Sequence, residues 1–154
     1  MSQSLAAGSP AAAKRLDETI VLIPAVGRVA EGVMALSNIG CPAMVPVAGR
    51  PVIHWTLRYL HALGLRRFVI AVARRGMFVE DFVECSFGQD CEISFIVPQS
   101  DGGVGGTLCE LAQQANGQSA LVVLGDTHFQ FADPEILLDN QAAVLVQPVQ
   151  DSYR

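Results

Sequence analysis

The amino-acid sequence predicts an α/β fold with a mostly parallel sheet, and two observations carry this prediction. Short apolar runs rich in Val and Ile alternate along the chain with segments in which apolar residues recur every three or four positions. The apolar runs are continuous, which is typical of strands that are covered on both faces. Strands joined by intervening helices then run parallel, because each helix returns the chain to the end of the sheet at which the strands begin.

The elements follow one another in a regular order. The first predicted strand is residues 19–25 (TIVLIPA), and the first helix is residues 51–63, with Pro51 in its first turn and Gly64 just past its end. The same alternation predicts strands at 68–73, 92–97, 120–124 and 142–147, helices at 77–87, 108–114 and 134–140, and a Gly-rich loop at 100–106. The predicted architecture is a Rossmann-like three-layer sandwich, with the sheet between two layers of helices.

The composition limits the number of domains and the classes of partner. The chain has 154 residues, 51% of them hydrophobic and 16% charged. This length is enough for one complete core, and this composition is too apolar for a disordered chain. The net charge is −5 and there is no basic run, so nucleic acid is not an expected partner. We expect a flexible leader at residues 1–17 and one domain at residues 18–154.

The cysteines and the apolar runs indicate the compartment. No pair of cysteines has CxxC spacing, so free thiols are expected, with neither disulfides nor a zinc site. No apolar run approaches the roughly 18 residues needed to cross a membrane, and the leader lacks the apolar stretch of a signal peptide. The expected protein is soluble and cytoplasmic, without a membrane partner.

Ligands of open α/β sheets bind outside the carboxyl ends of the strands, so the candidate loops are residues 25–31, 98–107 and 125–129. The first loop contains Gly27 and can present main-chain N–H groups to a phosphate, but it matches neither GxGxxG nor GxxxxGK[ST], and a plain turn also explains it. Asp126 follows a buried strand, where a carboxylate can bind Mg²⁺. Capping of a turn is the alternative role for Asp126.

Four segments, in a fixed order, carry a resemblance to a known family: MVPVAGRPVI at 44–53, LHALGLRRFVIAV at 60–72, VPQSDGGVGGTLCELA at 97–112 and VVLGDTHF at 122–129. Together they resemble the sugar-phosphate nucleotidyltransferases, also called sugar-nucleotide pyrophosphorylases, over about residues 19–150. The resemblance implies transfer of a nucleoside monophosphate from a nucleoside triphosphate to a sugar 1-phosphate or a similar phosphorylated acceptor. Pyrophosphate would be released, and Mg²⁺ would be the cofactor.

The resemblance also implies roles for particular residues. The implied nucleotide-binding residues are Ala25, Val26, Gly27, Gln99, Gly105 and Gly106. The first three would lie under the nucleotide and the last three would meet the base, although a solvated glutamine and flexible glycines are an equally simple interpretation of those three. Asp126 would be the metal ligand.

Two cations of the family pattern are replaced in this chain. Glu31 stands where the family's first loop has an arginine, and Pro42 stands where the family has a lysine. A carboxylate repels a phosphate, and proline offers no donor. Lys14 is the one lysine beside nine arginines, so no lysine of the predicted domain replaces the missing one. Arg28 is the candidate catalytic cation, with a solvated surface charge as its alternative role.

The remaining arginines near the second predicted strand, at 66, 67, 74 and 75, are interpreted as a solvated rim.

The family's catalytic domain continues beyond the point where this chain stops, so residues 18–154 are expected to be the N-terminal part of a longer domain or a reduced domain. The apolar strand at 142–147 offers an edge for pairing with a second copy, so a homo-oligomer is an open expectation.

Two functions therefore compete. One is nucleotidyl transfer, and the other is a catalytically silent nucleotidyltransferase-like domain with a regulatory or assembly role, which Glu31 and Pro42 favour. A dinucleotide-dependent oxidoreductase is a weaker third interpretation, because the GxGxxG fingerprint is absent.

Overall fold

The strands of the main sheet alternate with helices along the chain, as predicted. A computed structural model describes residues 16–27, 40–74, 77–99 and 102–131. The elements within these ranges are β1 (Ile20–Ala25), a 3-10 turn (Pro42–Met44), β2 (Pro46–Val47), β3 (Arg50–Pro51), α1 (Val52–Ala62), β4 (Arg67–Val72), α2 (Met77–Phe87), β5 (Glu92–Ile96), α3 (Gly103–Gln114) and β6 (Ala120–Val122). The predicted helix at 134–140, the predicted strand at 142–147, leader residues 1–15, Arg28 and Glu31 lie outside the described residues.

The main sheet has four parallel strands in the order β5-β4-β1-β6. All six residues of β1 are buried, because this strand has a neighbour on each side and a helical layer on each face. The predicted α/β fold with a mostly parallel sheet is confirmed.

The two faces of the sheet hold separate apolar clusters. Val21 and Ile23 of β1 belong to the cluster that also contains buried residues of α1 and α2, whereas Ile20 and Leu22 pack in the cluster that contains Leu111 of α3. Successive side chains of a strand point to opposite faces, so one continuous apolar run supplies both clusters. The continuous pattern of β1 thus reflects the three-layer arrangement.

The start of α3 differs from the prediction. The expected Gly-rich loop extended to Gly106, but the helix begins at Gly103, whose φ is +62°. Two hydrogen bonds hold its first turn, from Gly106 N–H to the Gly102 carbonyl (3.1 Å) and from the Thr107 hydroxyl to the Gly103 carbonyl (3.1 Å). Glycine is a poor helix former, which is why the sequence pattern placed the helix start at Leu108.

A small antiparallel hairpin, β2 with β3, precedes α1 and was not predicted. Its two turn residues, Ala48 and Gly49, both have positive φ (48° and 78°), as the tight turns favoured in hairpins require. The Trp55 indole N–H donates to the Val47 carbonyl at 2.8 Å and fastens the hairpin to α1. Within the described part of the chain, no helix has both the length and the apolar character needed to cross a membrane.

Candidate functional site

A cleft of about 580 Å³ opens beyond the carboxyl ends of the four parallel strands. Residues that follow the strands form much of its wall, and the first turn of α3 and the 3-10 turn complete it. The lining residues are Pro24, Ala25, Val26, Gly27, Pro42, Ala43, Val72, Ala73, Arg74, Val97, Pro98, Gly103, Val104, Thr107, Leu124 and Asp126. The cleft lies where ligands of open α/β sheets bind.

The strand register aligns the first loop with the end of β4. Ala25 pairs with Val72 in the parallel ladder, so Gly27 and Arg74 each stand two residues beyond a paired strand end. Both line the cleft. The turn after β1 and the arginine after β4 are therefore side by side at the same edge of the sheet.

The segment after β6 approaches β1 from the other side. Gly125 donates its N–H to the Pro24 carbonyl at 3.2 Å. A Cβ at Gly125 would lie 3.0 Å from the Ala25 Cβ and 3.2 Å from the Pro24 oxygen, so any other residue would force β1 or this segment to shift. The glycine of the Gly-Asp pair therefore lets Asp126 approach the end of β1 closely.

Asp126 is exposed and lies within a tight turn at the cleft wall. The turn is closed by a hydrogen bond from Thr127 N–H to the Leu124 carbonyl at 3.2 Å. The hydroxyl of Thr56, a residue that is 1% exposed, donates to the Thr127 carbonyl at 2.6 Å. The backbone on both sides of the carboxylate is thus held in place, by β1 at Gly125 and by α1 at Thr127.

The segment at Cys41 and Pro42 packs on the first loop. The Pro42 Cγ lies 3.4 Å from the place where a Cβ of Gly27 would be, and the Cys41 thiol donates to the Ala25 carbonyl at 3.5 Å. Burial raises the pKa of the Cys41 thiol, backbone hydrogen bonds to it act in the opposite direction, and the charge of Asp126 adds to the rise. Pro42, at the position where the sequence resemblance expects a lysine, therefore stands in the cleft wall beside Gly27.

The residues predicted from the sequence fall into two groups. Ala25, Val26, Gly27 and Asp126 line the cleft, whereas Gln99, Gly105 and Gly106 are not among its lining residues. The binding roles of the residues in both groups stay predictions. The two loops that the strand-end rule selected after β1 and β6 are brought together at the cleft. The third predicted loop, residues 98–107, contributes Pro98, Gly103, Val104 and Thr107.

Gln99 donates hydrogen bonds to other residues of the chain. Its main-chain N–H donates to both carboxylate oxygens of Glu110, at 3.1 and 3.0 Å, and its side-chain amide donates to the Val97 carbonyl at 2.9 Å. The carboxylate of α3 thus holds the segment that follows β5. This contact fixes the cleft-lining Val97 and Pro98 relative to the helix.

Sequence reasoning missed Arg74, which it interpreted as part of a solvated rim. Arg74 is the one basic side chain that lines the cleft among the described residues, and Asp126 is the one acidic side chain. A signal was present in the sequence, because Arg74 follows an apolar strand as directly as Asp126 does. Exposed Val97, Val104 and Leu124 also line the cleft and make one part of its wall apolar.

Among the described residues that line the cleft, Asp126 is the one carboxylate that could bind a divalent metal. Within residues 16–27, 40–74, 77–99 and 102–131, no three His, Cys, Asp or Glu side chains group closely enough to hold an ion. Mg²⁺ in nucleotide enzymes is commonly bound by one or two carboxylates together with substrate phosphates. The exposed Asp126 therefore fits a Mg²⁺ ion that arrives with a phosphate ligand.

Neither a family model nor a curated protein sequence matches the chain significantly. Solved structures do share its fold. HddC from Yersinia pseudotuberculosis complexed with GMP-PN matches with a TM-score of 0.58 and 21% identity over 70% of this chain and 48% of that chain. A UDP-glucose pyrophosphorylase complexed with UDP-glucose matches with a TM-score of 0.59 and 19% identity, covering 77% and 50% of the two chains.

A nucleotidyl transferase from Methanothermobacter has a TM-score of 0.54 and 20% identity, with coverages of 71% and 51%. The resemblance seen in the sequence is thus confirmed as a likeness of fold to sugar nucleotidyltransferases. The matched region spans about half the length of each of these proteins.

Proposed function

We propose that this chain forms the nucleotide-binding part of a Mg²⁺-dependent nucleotidyltransferase. It would transfer a nucleoside monophosphate from a nucleoside triphosphate to a sugar 1-phosphate or a similar phosphorylated acceptor, with release of pyrophosphate. The observation that carries the proposal is the cleft in which the Gly27 turn, Arg74 and Asp126 meet. Free thiols among the described residues agree with a cytoplasmic location, which is part of the same proposal.

The reaction needs positioning and charge compensation more than covalent help from the protein. An oxygen of the acceptor phosphate forms a bond to the α-phosphorus, and the bond from that phosphorus to the bridging oxygen breaks, so that its electron pair leaves with pyrophosphate. Glycine at position 27, just past the end of β1, carries no side chain that would keep phosphate oxygens away from the main-chain N–H groups. Asp126 would hold Mg²⁺, which when bound neutralises charge on the phosphates.

The rest of the cleft suits the remainder of a nucleotide. The side chains of Val97, Val104 and Leu124 expose apolar surface at the cleft. A planar base can cover such surface and exclude water from it. These contacts support a nucleotide rather than a small anion alone as the ligand.

A catalytically silent domain is the second candidate, and one contact favours it. The Pro42 ring lies against Gly27, in the position where the resemblance expects a lysine. A ring without a donor leaves any phosphate above Gly27 without a cation from that side. Such a domain would bind nucleotide and serve regulation or assembly without turning it over.

The first experiment measures nucleotide binding by the chain at its natural full length. Titration calorimetry with each of the four nucleoside triphosphates, with and without Mg²⁺, compares wild type with Asp126→Asn. The exposed Asp81 of α2 supplies a matched control, Asp81→Asn. We expect Mg²⁺ to strengthen binding in wild type and Asp81→Asn but not in Asp126→Asn. A nucleotide affinity that is the same with and without Mg²⁺, and the same in wild type and Asp126→Asn, would refute the metal site.

The second experiment separates the two candidates by pyrophosphate release. The same protein is incubated with nucleoside triphosphates and a panel of sugar 1-phosphates. Release by wild type supports the enzyme, whereas nucleotide binding without release, converted to release in a Glu31→Arg, Pro42→Lys double variant, supports the silent domain. A chain that neither binds nucleotide nor releases pyrophosphate would refute both.

A further inference from the structure

Arg74 is placed differently from the arginine at the opposite end of its strand. At the start of β4, Arg67 donates to a Glu92 carboxylate oxygen at 3.2 Å and to the Gln118 side chain at 2.7 Å. At the far end, Arg74 is exposed at the cleft, and no ion pair or hydrogen bond joins its side chain to another described residue. Arg67 is therefore a structural cation, and Arg74 is available to a ligand.

The strand order places Arg74 and Asp126 on opposite sides of the Gly27 turn. β1 lies between β4 and β6, and neighbouring strands are about 4.8 Å apart. Strands β4 and β6, which precede Arg74 and Asp126, are thus about 10 Å apart, with β1 between them. A phosphate group above Gly27 has a cation on one side and a carboxylate on the other.

A phosphate bound in the cleft would need a cation to offset the negative charge of Asp126. Asp126 alone would repel a phosphate, and the other described lining side chains are apolar apart from Thr107. Pro42 brings no positive charge at the neighbouring position. A guanidinium can offer two parallel N–H groups to one phosphate and stays charged at all physiological pH values.

We propose that Arg74 binds a phosphoryl group of the ligand and supplies a positive charge in the cleft, which Pro42 does not. This inference rests on the proposed function, since it names the residue that recognises the phosphates in the same cleft. It also assigns a direction to the ligand, which would lie across the end of β1 with its phosphates between Arg74 and the metal at Asp126. The phosphoryl group could belong to the nucleotide or to the acceptor, and the test distinguishes these sources.

The test compares ligands with and without phosphates in the full-length chain. Affinities are measured for the tightest nucleoside triphosphate, its parent nucleoside, glucose 1-phosphate and inorganic pyrophosphate. The variants are Arg74→Gln and Arg74→Lys, with Arg58→Gln as the matched control, because Arg58 is an exposed arginine on α1 whose guanidinium lies over the Trp55 ring at 5.9 Å and which does not line the cleft. Folding of each variant is checked by its thermal transition.

We expect Arg74→Gln to weaken nucleoside triphosphate binding by about tenfold to a hundredfold, the usual effect of losing a charged hydrogen-bonding group. Binding of the nucleoside should be unchanged, Arg74→Lys should lie between, and Arg58→Gln should match wild type. Raising the salt concentration should weaken wild type more than Arg74→Gln. A loss confined to glucose 1-phosphate would place Arg74 at the acceptor and also support a phosphoryl site.

Equal affinities of wild type and Arg74→Gln for every phosphorylated ligand would overturn the inference. So would an equal loss for the nucleoside and its triphosphate, because it would show a general disturbance of the cleft. A wild-type chain that binds no nucleotide refutes the proposed function instead. In that case, pyrophosphate binding that disappears in Arg74→Gln would still support the phosphoryl site, and absence of pyrophosphate binding would overturn it.

Discussion

The hydroxyl of Thr56 donates a 2.6 Å hydrogen bond to the main-chain carbonyl of Thr127, 71 positions further along the chain. Thr56 lies in the middle of α1, and Thr127 follows Asp126 directly. The contact ties the turn that carries the carboxylate to the helix that follows the hairpin. The position of Asp126 in the cleft therefore depends on a buried polar group of α1 as well as on β6.

Removing this hydroxyl should destabilise the fold. Thr56→Val keeps the shape of the side chain but leaves the Thr127 carbonyl without its partner, at a cost of about 1–3 kcal/mol in the free energy of unfolding. Thr56→Ser keeps the hydroxyl and loses one methyl group, about 0.8 kcal/mol. Urea denaturation of the two variants measures the difference. A Val variant as stable as the Ser variant would contradict the role of the hydrogen bond.

Gly125 and Gly105 should respond in opposite ways to alanine. Gly125→Ala forces a Cβ to within 3.0 Å of Ala25 and should cost about 1–3 kcal/mol, as expected for overpacking. Gly105 lies in α3 with nothing within 4 Å of an added Cβ, so Gly105→Ala should stabilise by up to about 1 kcal/mol. Thermal unfolding of both variants gives the comparison. Nucleotide affinity lost in Gly105→Ala would support the base contact that the sequence resemblance implies.

Glu110→Gln should loosen the segment that follows β5. The carboxylate accepts the Gln99 N–H with both oxygens, and an uncharged amide is a weaker acceptor. The expected result is faster hydrogen exchange at the Gln99 amide, with a stability loss of at most about 1 kcal/mol. Glu84→Gln, which changes an exposed glutamate on α2, is the control. Unchanged exchange at Gln99 would show that the segment is held by other contacts.

His54 should make the free energy of unfolding depend on pH at mildly acidic pH values. Burial lowers the pKa of its imidazole below the ordinary 6.5, and the charges of Arg50 and Arg58 act in the same direction. The ring packs near Phe82 and Phe87, at centroid distances of 6.0 and 5.5 Å. Its Nδ1 has no hydrogen-bond partner among the described residues.

The sign follows from the two protonation states. Below pH 6.5 the unfolded chain takes up a proton at His54 more readily than the folded chain, so stability is lost as the pH falls through 6.5. His54→Phe should reduce this loss in urea midpoints measured from pH 7.5 to 5.5, and His128→Gln, which removes an exposed imidazole, serves as the control. A wild-type midpoint that is flat over this range would rule out the effect.

The sequence predicted those elements whose signals are local. The helix at Met77–Phe87 has the predicted bounds, and each strand of the four-stranded sheet lies within two residues of its predicted position at both ends. The hairpin was missed because its strands have only two residues each, and Ala48 takes a positive φ that alanine rarely adopts. The early start of α3 was missed for a related reason, since glycines disfavour helix when only propensity is considered.

The sequence by itself determined the fold class and identified the strand ends at which a ligand is expected to bind. Both follow from the spacing of apolar residues, which is a local property of the chain. Gly27 and Asp126 could be selected in this way. The tertiary structure alone decided which strand ends are neighbours. The order β5-β4-β1-β6 places Arg74 and Asp126 on either side of Gly27, and strand order and register arise from contacts between residues far apart in the chain. No local pattern contains that arrangement, so only the folded protein showed that Arg74 lines the same cleft as Gly27 and Asp126.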